Sequence, residues 1–164
     1  MDLTDRIPDT LGLFSDVSKA RTNLASCLND LLPNVMAMYV KAHGYHWNVV
    51  GPDFVQMHSL FSDIYSDVYE SIDPLAENVR KLDAFPLGDI GSMASASKVS
   101  PAVSSRDSRA MLSDLLRTND VVLDLIEDAL DCAEREQEQG ILNFLADRQD
   151  MHSKWDWQIR SVLG

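Results

Sequence analysis

The hydrophobic residues of this chain recur at steps of three and four positions in four separate segments. This spacing places them on one face of an α-helix, and no segment shows the strict alternation that a half-buried strand would have. The four apolar stripes begin at Leu24, Phe54, Met111 and Ile141 and end at Tyr39, Val79, Ala133 and Val162, respectively. The pattern therefore predicts four amphipathic helices that bury one face against each other.

Three interruptions separate the stripes. Gly51-Pro52 divides the first two, Gly140 divides the last two, and the segment "FPLGDIGSMASASKVSPAVSS" lies between the second and the third. A connector of roughly twenty residues is long enough to pass from one end of a helix bundle to the other. We therefore predict an all-α fold, a four-helix bundle with a long middle crossover that carries a short helix around Ser92 to Ala96.

Two prolines lie inside the predicted helices. Pro33 and Pro74 each remove one backbone hydrogen bond, at a cost of about 3 kcal/mol in a helix interior. Either the helices kink at these positions or one of them breaks. Because the apolar stripe continues in phase past both prolines, we expect kinks.

Composition bounds the class of protein. The chain has 164 residues, 45% hydrophobic and 24% charged, which fits one soluble domain spanning residues 1–164. Its net charge of −12 repels nucleic acid and anionic membranes and attracts cations. We expect no signal peptide and no membrane span.

Cys27 and Cys132 lie far apart in apolar surroundings, so we expect reduced thiols and a cytoplasmic location.

Three of the four histidines fall within sixteen residues, in the stretch "KAHGYHWNVVGPDFVQMH". His46 precedes the Gly51-Pro52 turn and His58 follows it, while Asp73 and Glu77 lie farther along the second helix, one turn apart on one face. Imidazole together with carboxylate is the ligand chemistry of iron, manganese and zinc.

These four residues cannot meet within one chain. His58 and Asp73 are fifteen residues apart on one predicted helix, which separates them by about 22 Å. If the four bind one metal ion, the carboxylates must come from a second subunit whose copy of this helix lies antiparallel across a two-fold axis. Each such interface would then carry two equivalent sites.

Simpler interpretations compete with a metal site. A neighbouring His and Trp, here His46 and Trp47, is more often a packing pair than a ligand set, and acids four apart on an exposed helix are usually solvated. We interpret His43 and His152 as structural residues. The acids near the end of the third helix are likewise interpreted most simply as a solvated helix end.

One long segment resembles the Dps proteins, the mini-ferritins named as DNA-binding proteins from starved cells. The stretch "YHWNVVGPDFVQMHSLFSDIYSDVYESIDPLAENVRKLDAFP" is similar to their pattern, and the resemblance extends from about Leu24 to the end of the chain. Nine residues match that pattern in register: His46, Trp47, Asn48, Gly51, Phe54, His58, Asp73, Ala76 and Glu77.

The resemblance implies a ferritin-like subunit in a dodecameric shell, with a ferroxidase site across each two-fold interface. His46 and His58 would come from one subunit and Asp73 and Glu77 from the other, with Trp47 beside the site. Iron would be the metal: Fe(II) is oxidised by hydrogen peroxide in preference to oxygen, and Fe(III) is stored inside the shell, which protects against oxidative damage.

The chain departs from the family pattern in two places. Many members carry an acid four residues after the second histidine, where this chain has Ser62, and Asp63 is rotated about 100° around the helix. We therefore expect one well-bound iron per site and a weaker second one.

The first twenty residues carry four aspartates against one arginine and one lysine, so the N-terminal segment, residues 1–15, is not a basic DNA-binding tail. We expect no DNA binding at physiological salt.

A further group of acidic residues is expected to line the pore through which iron enters the shell. Family shells have acidic pores near the end of the third long helix and the start of the fourth, where a negative funnel attracts Fe²⁺. The candidates in this chain are Glu134 and Glu138, with Asp131 as a weaker one.

Ordinary ferritins bind a di-iron pair inside one bundle through Glu-x-x-His motifs. This chain contains no such motif, so we reject that interpretation. Two alternatives remain open. The protein could be a shell or scaffold of the same fold with a weakened or vestigial iron site. It could also be a monomeric acidic helical binding module, which would exclude any inter-subunit site.

Overall fold

The computed structural model of the protein describes residues 10–100, 102 and 105–164, with side chains from residue 23 onward. The predicted N-terminal segment, residues 1–15, lies largely outside the described residues. The described part of the chain is helical with no strand, in chain order α1 Thr10–Asn48, α2 Phe54–Lys81, α3 Ile90–Ala96, α4 Ser108–Arg135 and α5 Gln139–Leu163.

The four long helices form one bundle, as predicted. α1 packs against α2 and α4, α5 packs against α4 and α2, and the short α3 lies on α1 within the crossover. Residues from each apolar stripe, such as Leu28, Phe61, Leu115 and Leu145, are fully buried in a common core. The stripes are shorter than predicted at two ends, since Phe54 and Val162 both remain 42% exposed.

Both internal prolines lie within continuous helices. α1 runs through Pro33 and α2 runs through Pro74, so neither helix breaks. This outcome agrees with the in-phase apolar stripes and excludes the alternative of a broken helix. The hydrophobic core on either side of each proline outweighs the one backbone hydrogen bond that the proline removes.

Two asparagines of α1 hold the crossover. Asn29 Nδ2 donates to the carbonyl of Phe85 (3.1 Å) and its Oδ1 accepts from the amide of Leu87 (3.3 Å). Farther along, the fully buried Asn34 accepts hydrogen bonds from the Lys98 amide and the Ser97 hydroxyl. The crossover helix α3 begins at the cap Asp89, whose carboxylate accepts from the amide of Ser92 (2.8 Å).

The prediction of two reduced cysteines is wrong for this structure, which joins Cys27 to Cys132 in a disulfide between α1 and α4. Their separation of 105 residues along the chain suggested that they lie apart in space. The packing of α1 against α4 removes that separation, because contact between helices is independent of distance along the sequence.

Polar side chains also connect the helices inside the bundle. The carboxylate of Asp67 on α2 accepts two hydrogen bonds from the Arg148 guanidinium (2.9 and 2.7 Å) and one from Trp155 Nε1 (2.8 Å) on α5. Burial raises the pKa of Asp67, but the hydrogen bonds from Arg148 and Trp155 outweigh it and bring the pKa below its ordinary value.

The interpretation of His152 as structural is confirmed. Its side chain is buried, its Nδ1 lies 2.7 Å from Asn119 Oδ1, and its carbonyl accepts from Asn119 Nδ2 (3.0 Å). Burial, reinforced by the nearby positive charge of Arg148, lowers the pKa of His152 to about 3. The imidazole is therefore neutral at physiological pH and is occupied in joining α4 to α5.

In the described part of the chain, no helix has the length of apolar sequence that crossing a bilayer requires.

Candidate metal centre

A tight turn brings the end of α1 against the start of α2. α1 ends at Asn48, and Gly51 adopts φ +124°, a backbone conformation that an L side chain rarely adopts. Asp53 precedes α2, and its carboxylate accepts a hydrogen bond from the hydroxyl of Ser108 (2.6 Å), which anchors the turn to α4. The turn reverses the chain, so the last turn of α1 faces the first turns of α2.

This reversal makes His46 and His58 a reciprocal pair. His46 Nδ1 lies 2.8 Å from the carbonyl oxygen of His58, and His58 Nδ1 lies 2.8 Å from the carbonyl oxygen of His46. A carbonyl oxygen can only accept, so both Nδ1 atoms carry hydrogen and donate. The neutral rings then have their lone pairs on Nε2. The rings stack with centroids 3.7 Å apart, and both side chains are half-buried.

This arrangement prepares two imidazoles as metal ligands. Protein ligands commonly donate one ring N–H to a carbonyl, which selects the tautomer and orients the ring toward the metal. Here each histidine orients the other through the backbone, and no third residue is needed. The geometry brings together two of the four predicted ligands.

The predicted carboxylate ligands lie elsewhere on α2. Asp73 and Glu77 are both exposed and are one helical turn apart. They are fifteen and nineteen residues beyond His58 on one continuous helix, so the rise of that helix separates the two sets by more than about 20 Å. Within the described part of a single chain, no three His, Cys, Asp or Glu side chains come together in a way that could hold a metal ion.

The position four residues after His58, where the Dps pattern predicts an acid, carries no carboxylate. Ser62 lies one turn after His58 on α2 and is half-buried, while the neighbouring Asp63 is exposed on a different part of the helix surface. A serine hydroxyl is a weak, neutral ligand compared with a carboxylate.

Aromatic rings surround the histidine pair. His43 stacks on Tyr65 with centroids 4.0 Å apart, and its ring lies 4.2 Å from that of Trp47, which is 70% exposed. The hydroxyl of Tyr39 lies 3.2 Å from His43 Nδ1. Burial, followed by the charge of His46, lowers the pKa of His43 from its ordinary value.

The apolar stripe of α1 predicted a core position for Tyr39, and no pattern in the sequence indicated Tyr65. The four-residue spacing between Tyr39 and His43, on one face of α1, is the signal that could have identified this cluster. Tyr65 could not be found in this way, because it comes from α2.

The predicted iron-entry acids lie around the junction of α4 and α5. Glu134 is exposed near the end of α4, and Glu138 immediately precedes α5. Asp131 lines a cavity of about 290 Å³ beside the disulfide, together with the cations Lys98 and Arg135. Asp30 and Asp128 line the same cavity, so three carboxylates face the two cations there.

A family comparison matches residues 25–164 to the ferritin-like domain. The chain therefore belongs to the ferritin-like family. It is 28% identical to the DNA protection during starvation protein of Brevibacillus brevis, over 85% of this chain and 94% of that one. It is also 30% identical to a low-temperature-induced protein of Nostoc, over 87% of this chain and 81% of the relative.

Solved structures agree with this assignment. A Dps protein from Vibrio cholerae, described as a ferritin-like diiron-carboxylate protein, superposes with a TM-score of 0.86 at 28% identity, covering 90% of this chain and 92% of that chain. The Dps from Thermosynechococcus elongatus superposes with the same TM-score at 22% identity, which shows the shared fold. The resemblance to Dps proteins that the sequence indicated is confirmed.

Proposed function

We propose that this protein is a mini-ferritin that oxidises Fe(II), preferably with hydrogen peroxide, and stores Fe(III) inside a dodecameric shell. The observation that carries the proposal is the reciprocal pair of His46 and His58, whose Nε2 lone pairs are prepared for a metal on a chain with the Dps fold. Iron is the substrate. The protein would thereby limit oxidative damage in the cytoplasm.

The reacting site would form between two subunits. The histidine pair of one subunit would meet Asp73 and Glu77 of a second copy, with the two α2 helices antiparallel across a two-fold axis. The imidazoles supply neutral nitrogen ligands, and the carboxylates neutralise the charge of the bound Fe(II) and favour its oxidation to Fe(III). The exposure of both acids on the isolated chain is consistent with this arrangement, because a partner can then reach them.

Charge supports the delivery of iron and opposes DNA binding. The net charge of −12 attracts Fe²⁺, and we propose that Glu134, Glu138 and Asp131 line its entry pore. The same charge repels phosphates, so we propose that DNA is not a partner at physiological salt.

The function can be tested by anaerobic loading with Fe(II), followed by hydrogen peroxide. We expect ferric absorbance to rise faster than in buffer, and the iron to elute with a particle of about twelve subunits during size-exclusion chromatography with light scattering. Iron that oxidises no faster than in buffer and precipitates free of protein would contradict the proposal.

Replacing Ser62 with Glu should create a stronger second iron position. The carboxylate would project from α2 one turn beyond His58, and we expect the Fe(II) bound per site to rise from about one to about two. Anaerobic isothermal titration with Fe(II) would measure this, and Asp63→Glu is the matched control because Asp63 lies on another part of the helix. Two tightly bound irons per site in the unmodified protein would contradict the expectation.

A shell or scaffold with a weakened iron site is the second candidate function. The observation that favours it is Ser62, which stands one turn after His58 where the resemblance to Dps proteins predicts a carboxylate. An assembled shell that does not accelerate Fe(II) oxidation would support this alternative.

A further inference from the structure

A tyrosine and a histidine next to the candidate metal centre form a hydrogen-bonded pair. The hydroxyl of Tyr39 lies 3.2 Å from Nδ1 of His43, one turn later on α1. This distance is within the reach needed for proton transfer between a phenol and an imidazole. Among the described residues, Tyr39 is the tyrosine whose hydroxyl contacts a ring nitrogen, whereas that of Tyr45 donates to Asp114.

Ring contacts connect this pair to a predicted iron ligand. His43 stacks on Tyr65 (4.0 Å between centroids), and Tyr65 meets the ring of His46 edge-on (5.2 Å). The ring of Tyr39 also contacts that of Tyr65, at 6.4 Å. A continuous series of aromatic rings therefore leads from Tyr39 to His46.

The chemistry of the proposed reaction requires more electrons than one iron supplies. Hydrogen peroxide takes two electrons to become two water molecules, while Fe(II) gives one as it becomes Fe(III). Because Ser62 replaces a carboxylate, the site is expected to hold one Fe(II) firmly. A single electron would split the peroxide into hydroxide and a hydroxyl radical, which is the product that a protective protein has to avoid.

We propose that Tyr39 supplies the second electron, with His43 accepting the phenol proton. This inference rests on the proposed function. The Tyr39 O–H bond breaks, its proton moves to His43 Nδ1, and its electron passes along the ring series to the peroxide held at the iron site. In the overall step Fe(II), hydrogen peroxide, the tyrosine, His43 and two protons from solvent yield Fe(III), two water molecules, a neutral tyrosyl radical and protonated His43. A second Fe(II), together with the proton held by His43, then restores the tyrosine.

The surroundings favour Tyr39 over Trp47 and Tyr69 as the site of the radical. Trp47 and Tyr69 are 70% and 60% exposed, so a radical on either would be open to solvent. Tyr39 is half-buried and packs against the core, and its hydroxyl has an imidazole beside it to receive the proton. Among the ring contacts of the described residues, Tyr69 touches Tyr39 alone, which makes it a suitable control.

The experiment loads the assembled protein anaerobically with one Fe(II) per site, adds hydrogen peroxide and freezes the sample within the first turnover. We expect an organic-radical signal in the electron paramagnetic resonance spectrum, with its splitting changed when tyrosine is supplied in ring-deuterated form. Tyr39→Phe should lose the signal, whereas Tyr69→Phe should retain it. With a spin trap present, Tyr39→Phe should also yield more hydroxyl-radical adduct than the unmodified protein does.

Tyr39→Phe keeps the aromatic ring, so folding and assembly are expected to survive, and light scattering would check both. His43→Gln should leave the radical able to form but shorten its lifetime or alter its signal, because the proton acceptor is changed. The inference is overturned if the protein oxidises Fe(II) rapidly without a tyrosyl signal, or if the signal survives in Tyr39→Phe. Failure to oxidise Fe(II) at all would instead contradict the proposed function.

Discussion

Shells assembled from a mixture of His46→Ala and Asp73→Asn subunits are expected to oxidise Fe(II) at about a quarter of the unmodified rate, although each variant alone is nearly inactive. Either change removes a ligand from every site, and loss of metal-site groups typically costs ten- to a hundredfold or more. In a pair that joins one His46→Ala subunit to one Asp73→Asn subunit, one of the two sites contains both altered residues and the other site contains neither. Random pairing makes about half of the pairs mixed, which restores about a quarter of the sites.

The measurement is the initial rate of ferric absorbance after co-refolding equal amounts of the two variants, with particle size confirmed by light scattering. The matched control mixes His46→Ala with His58→Ala, which alter the same half of the site and cannot complement each other in any pairing. Activity that stays at the level of the single variants in the first mixture would show that His46 and Asp73 of neighbouring subunits do not form a common site. That result would overturn the inter-subunit site.

Removing the carboxylate of Asp114 should destabilise the protein by about 3–5 kcal/mol. Lys41 on α1 is only 4% exposed, and its ammonium group lies 2.8 Å from Asp114 Oδ2 on α4 and 3.0 Å from the Thr118 hydroxyl. The hydroxyl of the buried Tyr45 donates to the same carboxylate. Burial raises the pKa of Asp114, but hydrogen bonds from Lys41 and Tyr45 outweigh it and lower the pKa. Asp114→Ala would leave a buried ammonium group without its counter-charge.

Urea unfolding followed by circular dichroism, at a constant protein concentration, would measure this loss. Adding Lys41→Met to Asp114→Ala should recover part of the stability, because an apolar side chain of similar length can remain buried without a counter-charge. The control is Asp156→Ala, which breaks a pair within α5 between Asp156 and the largely exposed Arg160, one turn later, and should cost about 0.5 kcal/mol or less. Equal losses in Asp114→Ala and Asp156→Ala would contradict the role assigned to Asp114.

Much of the fold could be predicted because it depends on local periodicity. The apolar stripes predicted the four long helices, the in-phase stripes past Pro33 and Pro74 predicted that neither helix would break, and the crossover carries the short helix expected near Ser92 to Ala96. These predictions succeeded because a helix places residues three and four positions apart on one face, whatever lies beyond it.

The candidate site could be predicted in part. The turn at Gly51 brings His46 and His58 together as the spacing around it indicated, but the spacing could not show that each ring donates to the other's carbonyl. Those two hydrogen bonds decide which nitrogen is available for a metal. The roles of Asp73 and Glu77 stay predictions, since they depend on a second subunit.

The sequence by itself determined the helical architecture, the family and the positions of the metal-binding residue types. All three depend on how many residues separate particular residue types along the chain. Only the tertiary structure decided the disulfide between Cys27 and Cys132, the buried pair of Lys41 and Asp114, and the series of rings that joins Tyr39 to His46. Each of these contacts connects different helices. Which side chains meet there depends on how the helices are rotated and aligned against each other, and residues throughout the core set that alignment jointly.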